Sequence, residues 1–163
     1  MRICDNAPIV QWKEFLFPKE KIVWVRFPVG VVLDLGKLYT AGYKNWFDED
    51  FYNKVKELDA YVIDVRLVPY AFFPYWKKEY IQKALGDKYI HIKELGNKNY
   101  HNSKLPIEIS DISKLSIVKQ MLSEGKTCIL LCACKDCDTC HRKILADTLC
   151  SELDITFLDL KGR

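Results

Sequence analysis

The chain lacks the features that place a protein in a membrane or in an export pathway. No apolar run approaches the ~20 residues that a membrane-spanning helix needs. The first residues, Met1 to Asn6, lead into Pro8 and charged residues rather than into the apolar segment of a signal peptide. We therefore expect a cytoplasmic protein without membrane contacts.

Strong charge of one sign is also missing. The sequence has 25 basic and 22 acidic residues, a formal net charge of +3, and its basic clusters are too short for a nucleic-acid-binding tail. With 163 residues and 49% hydrophobic content, the chain can bury one sizeable core. We expect a single domain over 1–163, with an N-terminal extension and hairpin in 1–37 and the main core in 38–163.

Cysteine, by contrast, is plentiful. The chain has seven cysteines, and four of them lie in the nine residues from Cys132 to Cys140. An odd number in an intracellular chain favours free thiols, metal ligands or redox cysteines over a secreted disulfide framework. This stretch follows a short apolar strand and precedes a helix, and it marks the expected site.

The periodicity of apolar residues predicts an α/β fold. Lys21–Phe27 and Val31–Leu35, separated by a Pro-Val-Gly turn, indicate a β-hairpin. Further predicted strands are 38–43, 60–66, 88–92, 127–132 and 155–159. One predicted helix begins at Asp48, and a second ends near Leu85. A third runs from Ser110 or Asp111 to Gly125, and a fourth runs from His141 to Leu153. This alternation predicts a mainly parallel central sheet with helices on both faces, plus the N-terminal β-hairpin.

Ligands of such sheets bind beyond the carboxyl ends of the strands. Polar residues that interrupt the apolar runs collect there. The candidate ligand-binding residues are Tyr43, Arg66, Glu94, Gly96 and Arg142. The candidate catalytic residues are Asp64, Cys132, Cys140 and His141.

Several of these stretches together resemble one family. They are Thr40-Ala41-Gly42-Tyr43, Val62 to Arg66 with Pro69, Glu94-Leu95-Gly96, and Leu130-Leu131-Cys132 followed by Cys140-His141-Arg142. In this order they resemble the family catalogued as domain of unknown function 488, over about 38–159. The resemblance implies a compact α/β domain and brings no established activity.

The two arginines suggest an anion-binding site. Arg142 lies at a predicted helix start, where free N–H groups favour an anion, and its guanidinium suits phosphate or carboxylate. Asp64 and Arg66 are two apart on a strand and share a face, so Asp64 is a candidate base and Arg66 a candidate anion clamp. Alternatively, Asp64 and Arg66 form a salt bridge, and Arg142 pairs with Asp64 or Asp159. The Cys-x₅-Arg spacing of a cysteine-dependent phosphatase is absent, because Asp136 stands there.

The cysteine loop has three interpretations. Cys132, Cys134, Cys137 and Cys140 can hold zinc as a Cys₄ site, or three of them can do so with His141 as a Cys₃His site. Cys137 and Cys140 can instead form a redox dithiol at a helix N-terminus. The cysteines can also be free or disulfide-linked. The cofactor is therefore unknown, and zinc is possible.

The run Tyr70 to Trp76 is aromatic and is followed by Lys77 and Lys78. Such a run can stack nucleic-acid bases, but core packing or a homodimer face is the favoured interpretation. The sequence thus predicts a protein that binds phosphate, a nucleotide or a nucleic-acid end at the carboxyl edge of its sheet. The alternatives are a binding module stabilised by zinc or disulfides, and a dithiol oxidoreductase. Whether the protein is an enzyme stays open.

Overall fold

The computed structural model describes residues 11–17, 21–27, 34–102 and 104–162, with the backbone alone for the first two ranges. The chain divides into two compact units, Met1–Leu33 and Asp34–Arg163. Each is described by itself. The prediction of one domain over the whole chain stays a prediction.

The N-terminal unit contains an antiparallel pair of strands. Strand β1 (Gln11–Phe17) pairs with β2 (Lys21–Phe27). The sequence predicted β2 as a strand but paired it with Val31–Leu35. Most of that second run lies outside the described residues, and Asp34 and Leu35 belong to no strand. The predicted hairpin therefore stays untested.

The larger unit is built on a five-stranded sheet. Its strands are β3 (Leu38–Gly42), β4 (Tyr61–Asp64), β5 (Tyr89–His91), β6 (Cys128–Cys132) and β7 (Phe157–Leu160). Their order is β5-β4-β6-β3-β7, and every pair of neighbours is parallel. Every residue of the central strand β6 is buried, as its unbroken apolar sequence indicates. The predicted parallel sheet is confirmed.

Four helices connect the strands: α1 (Asp48–Glu57), α2 (Lys78–Leu85), α3 (Leu115–Ser123) and α4 (His141–Leu153). Three acidic residues occupy the first turn of α1, where their negative charges stabilise the helix by interacting with the positive end of its dipole. A short 3₁₀ turn precedes α3, and the side chain of Asp111 caps it by accepting from Ser113 N. No helix in the described part of the chain is long and apolar enough to cross a membrane.

The helices cover both faces of the sheet. Successive residues of a strand point to opposite faces, so Leu130 packs with α3 and α4 in one core cluster. Ile129 and Leu131 pack with α1 and α2 in the other. We call these the α3/α4 face and the α1/α2 face. The predicted two-sided arrangement is confirmed.

The order of the connections produces a crevice between two central strands. From β3 the chain passes through α1 to β4, towards one edge of the sheet. From β6 it passes through α4 to β7, towards the other edge. Because the neighbours β3 and β6 send their chains to opposite faces, the carboxyl ends of these two strands form a topological switch point.

We predict that Leu130→Ala lowers the free energy of unfolding by about 2–5 kcal/mol, because it opens a cavity between the sheet and α3/α4. Leu130 is 0% exposed and Leu158, on the edge strand β7, is 62% exposed. Leu158→Ala is the control and costs less than about 1 kcal/mol. Urea unfolding measures both, and equal costs would contradict the assignment of β6 to the core.

Candidate functional site

A compact group of sulfur and nitrogen atoms lies where β6 ends and α4 begins. Cys132 closes β6, Cys140 is the N-cap of α4, and His141 is the first helical residue. All three side chains are buried, and their potential ligand atoms lie within 4.8 Å of one another. The Nδ1 atom of His141 is 3.8 Å from the Sγ of Cys132 and from that of Cys140. Cys134 adds a third sulfur, 3.9 Å from that of Cys132.

A backbone carbonyl fixes the orientation of the His141 ring. The Nε2 atom lies 2.8 Å from the carbonyl oxygen of Val65, just beyond the end of β4. A carbonyl can only accept, so Nε2 carries the proton. Burial lowers the pKa of His141, which favours the neutral ring. Its Nδ1 lone pair therefore faces the sulfurs, and histidine metal ligands commonly have this arrangement.

The pKa values of the three thiols depend on one another. Hydrogen bonding with the thiols of Cys134 and Cys140 holds the pKa of Cys132 well below its usual range. The same contacts with Cys132 raise the pKa of Cys134 and of Cys140, because each is a thiol beside a thiolate. Cys128, at the other end of β6, differs, since burial alone raises its pKa to about 12. The cluster thus favours deprotonation of Cys132, whereas burial disfavours that of Cys128.

Cys137 is in the same loop but contacts different groups. Its sulfur is 3.5 Å from Oγ1 of Thr40 on β3, and that hydroxyl donates to Asp159 at 2.6 Å. The predicted four-cysteine set is thus brought together only in part. Cys132 and Cys140 form a compact group with His141, and Cys134 contacts Cys132 at its margin. The two members of the predicted dithiol, Cys137 and Cys140, have different neighbours. All six described cysteines are free.

Two residues hold the cysteine loop in place. The guanidinium of Arg142 is fully buried and donates from Nη1 to the carbonyl of Cys134 at 2.8 Å. Its Nη2 lies 3.4 Å from the carbonyl of Lys135 and 3.4 Å from Asp159. A Cβ on Gly42 would come within 1.8 Å of the Cys134 oxygen, so only glycine permits this approach. Arg142 therefore forms the predicted pair with Asp159 and also supports the loop.

Asp64 and Arg66 form a salt bridge inside a saturated network. The carboxylate accepts from Nε of Arg66 at 2.8 Å, from its Nη2 at 2.5 Å and from the hydroxyl of Tyr89 at 2.6 Å. Nη1 of Arg66 donates to the carbonyl of Trp76 at 2.9 Å. Burial by itself lowers the pKa of Arg66, but the hydrogen bonds and charge of Asp64 outweigh it and raise the value. Asp64 and Arg66 share one face of the strand, as the sequence predicted. They form the salt bridge that the sequence analysis gave as the alternative to a catalytic base and an anion clamp.

This network lies on the other side of the sheet from the cysteines. Asp64 is in register with Leu131, and neighbouring residues in register point to the same face. Leu131 belongs to the α1/α2 face, whereas Cys132 and Cys140 belong to the α3/α4 face. Tyr43 contacts this network and not the cysteines, because the Arg66 guanidinium lies 5.3 Å from the centroid of the Tyr43 ring.

The remaining predicted residues have packing contacts. The carbonyl of Glu94 accepts from the backbone N–H of Asp111 at 2.7 Å. A Cβ on Gly96 would lie 2.5 Å from Cα of Leu67, so glycine is required for close packing of two loops. Among the described residues, neither contacts the cysteine cluster. The Val65 carbonyl was missed, because a backbone acceptor leaves no signal in a sequence.

The fold and the site define a doubly wound α/β protein with a buried Cys/His cluster at the carboxyl edge of its sheet. The model of one family, Domain of unknown function DUF488, matches residues 48–149. This is more than half of the chain, so the protein belongs to that family, and the resemblance inferred from the sequence is confirmed. No curated protein and no solved structure matches the chain.

We predict that the Asp64–Arg66 pair is structural and can be replaced as a unit. Arg66→Met alone costs about 3–5 kcal/mol of unfolding free energy, because it leaves a buried carboxylate without its cation. Adding Asp64→Leu recovers part of that loss. Lys98→Met, in the exposed pair with Glu108, is the control and costs less than about 1 kcal/mol. A double variant less stable than Arg66→Met would show that the carboxylate has another role.

Proposed function

We propose that Cys132, Cys134, Cys140 and His141 bind one zinc ion, and that the protein is a metal-binding α/β protein whose metal holds the cysteine loop. One observation carries the proposal, namely the spacing of the donor atoms. A tetrahedral ion with ~2.3 Å zinc–sulfur bonds has ligands about 3.8 Å apart. The sulfur of Cys132 is 3.9 Å from that of Cys134 and 3.8 Å from Nδ1 of His141. The ligand atoms of Cys132, Cys140 and His141 all lie within 4.8 Å of one another, and Cys134, at the margin of this group, would move towards it to complete the site. A disulfide would require about 2.05 Å.

Electrostatics supports a cation at this position. With Nε2 committed to Val65, the lone pair of His141 Nδ1 faces the sulfurs of Cys132 and Cys140 at 3.8 Å. Two electron-rich atoms face each other favourably only when a proton or a metal ion lies between them. A divalent cation would also displace the protons of Cys134 and Cys140, since thiolates are the metal-binding form.

The donor set favours zinc in a structural role. Thiolates and a neutral imidazole in tetrahedral array are typical zinc ligands. Four protein ligands leave no open coordination position for substrate or water, as in structural zinc sites. In this proposal Cys132, Cys140 and His141 are ligands rather than catalytic groups.

We predict about one zinc ion per chain in native protein, measured by elemental analysis. Cys132→Ser and His141→Gln each lose the metal, because each removes a ligand. Cys137→Ser is the matched control and retains it, since Cys137 contacts Thr40 instead. Loss of zinc in Cys137→Ser with retention in His141→Gln would replace our ligand set with the four-cysteine set.

We predict that chelation lowers the stability of the protein. Binding energy at a structural zinc site is also folding energy, and a loss of about 2 kcal/mol lowers the Tm by roughly 4–8 °C for a chain of this size. A thermal melt with and without chelator measures the change. The Cys132→Ser variant provides the control, and its Tm should not respond. An unchanged Tm in a zinc-loaded wild type would contradict a structural role.

The earlier hypotheses have weaker support. An anion site on Arg66 and Arg142 requires free donors, but the donors of Arg66 and both Nη groups of Arg142 already bond to the protein's own acceptors, and the remaining Nε of Arg142 is buried. Asp64 is saturated in the same way, which disfavours it as a catalytic base. A homodimer face at the aromatic loop stays a proposal. Tyr70 and Phe72 are exposed there, but Trp76 is buried in the core and cannot belong to such a face.

A further inference from the structure

A basic cleft opens beside the cysteine loop. Three segments line it: 44–47 after β3, 135–137 after β6, and the end of β7 with the residues that follow, Asp159, Lys161 and Gly162. Its volume is about 660 Å³, within the roughly 300–1,000 Å³ of small-molecule sites. Because two of the lining segments follow β3 and β6, the cleft lies at the switch point between these strands, where ligands of doubly wound sheets bind.

The cleft is lined by three lysines and two carboxylates, Asp136 and Asp159, so cations are in excess. Each wall contributes one exposed lysine, Lys44, Lys135 or Lys161. None of the three forms a salt bridge within the part of the chain that the structure describes. The carboxylate of Asp159 is already held by Thr40 and Arg142. Three cations that converge on one cleft from three chain segments suit a phosphorylated ligand.

The rim of the cleft is aromatic. Phe47 is 70% exposed although it is a large apolar side chain, and Trp46 lies next to it in the lining. Exposed aromatic rings provide stacking surfaces for planar groups, including nucleobases.

Two buried donors in the same walls have no partner among the described residues. They are Nε1 of Trp46 and Nε of Arg142. Trp46 lines the cleft, and Arg142 bonds to Lys135 and Asp159, which also line it. Unpaired buried donors are rare in folded proteins, but both atoms are shielded from solvent, so they lie behind the cleft surface and are not counted among its ligand contacts.

We propose that this cleft binds a nucleotide, with its phosphates on Lys44, Lys135 and Lys161 and its base against Phe47. The proposal deepens the anion hypothesis, because it places the ligand on exposed lysines rather than on the occupied arginines. It also relates the cleft to the zinc site, since residues 135–137 lie between the ligands Cys134 and Cys140. The metal would thus order one wall of the cleft.

Isothermal titration of the full chain with ADP and with inorganic pyrophosphate tests the proposal, with zinc content measured on the same sample. We expect 1:1 binding of ADP. The triple variant Lys44→Ala/Lys135→Ala/Lys161→Ala should weaken both probes by about tenfold or more. Phe47→Ala should weaken ADP by about fivefold or more and leave pyrophosphate unchanged. The triple variant Lys56→Ala/Lys83→Ala/Lys104→Ala removes equal charge elsewhere and should change neither.

Three results would overturn the proposal. The first is that neither probe binds at millimolar concentration, and the second is that the control variant weakens binding as much as the cleft variant does. The third is that a single-stranded oligonucleotide binds more tightly than ADP and loses affinity on Lys77→Ala/Lys78→Ala, which would place nucleic acid on the aromatic loop. In each case the zinc content of the sample shows separately whether the metal proposal stands.

Discussion

The hydrogen bond from His141 to the carbonyl of Val65 is the contact on which the candidate site depends. It is 2.8 Å long and buried, and it joins the first turn of α4 to the chain that leaves β4. Because it consumes the proton on Nε2, it turns Nδ1 towards Cys132 and Cys140. A helix start, two strand ends and three thiols are thereby brought to one point. The tautomer set by this one bond leaves Nδ1 as an acceptor, the form in which an imidazole can bind a metal ion.

Successive side chains of a strand point to opposite faces, and this alternation separates the cysteine cluster from the Asp64–Arg66 pair. The sequence analysis had placed both in one site. Cys132 is the last residue of β6 and faces α3 and α4, while Asp64 is level with Leu131 and faces α1 and α2. The Asp64–Arg66 pair is therefore a buried ionic network under an aromatic cluster, in which Trp76 and Tyr43 stack at 5.1 Å. The cysteine loop, by contrast, lies next to the lysine-lined cleft. The cysteine cluster and the ionic network thus lie on opposite faces of the sheet, each beside one of the two core clusters.

The fold could be predicted because its signals are local. Apolar runs, helix starts and glycines at helix ends depend on residues close in sequence, and α4 begins and ends where the pattern indicates. The shared face of Asp64 and Arg66 follows from their spacing alone. The composition of the cluster does not follow from sequence spacing, because it depends on contacts between distant residues. Cys137 contacts Thr40, 97 residues away, and His141 bonds to Val65, 76 residues away. The switch-point cleft likewise needs the strand order, which no stretch of sequence contains.

X-ray absorption spectroscopy of the zinc-loaded protein tests the central claim most directly, because it counts the ligand atoms around the metal. The ligand set proposed here gives three sulfur atoms at ~2.3 Å and one nitrogen at ~2.0–2.1 Å. That result would establish His141 as the fourth ligand in place of Cys137. A shell of four sulfurs, or one dominated by oxygen, would contradict the account and would leave the His141–Val65 hydrogen bond without the role assigned to it.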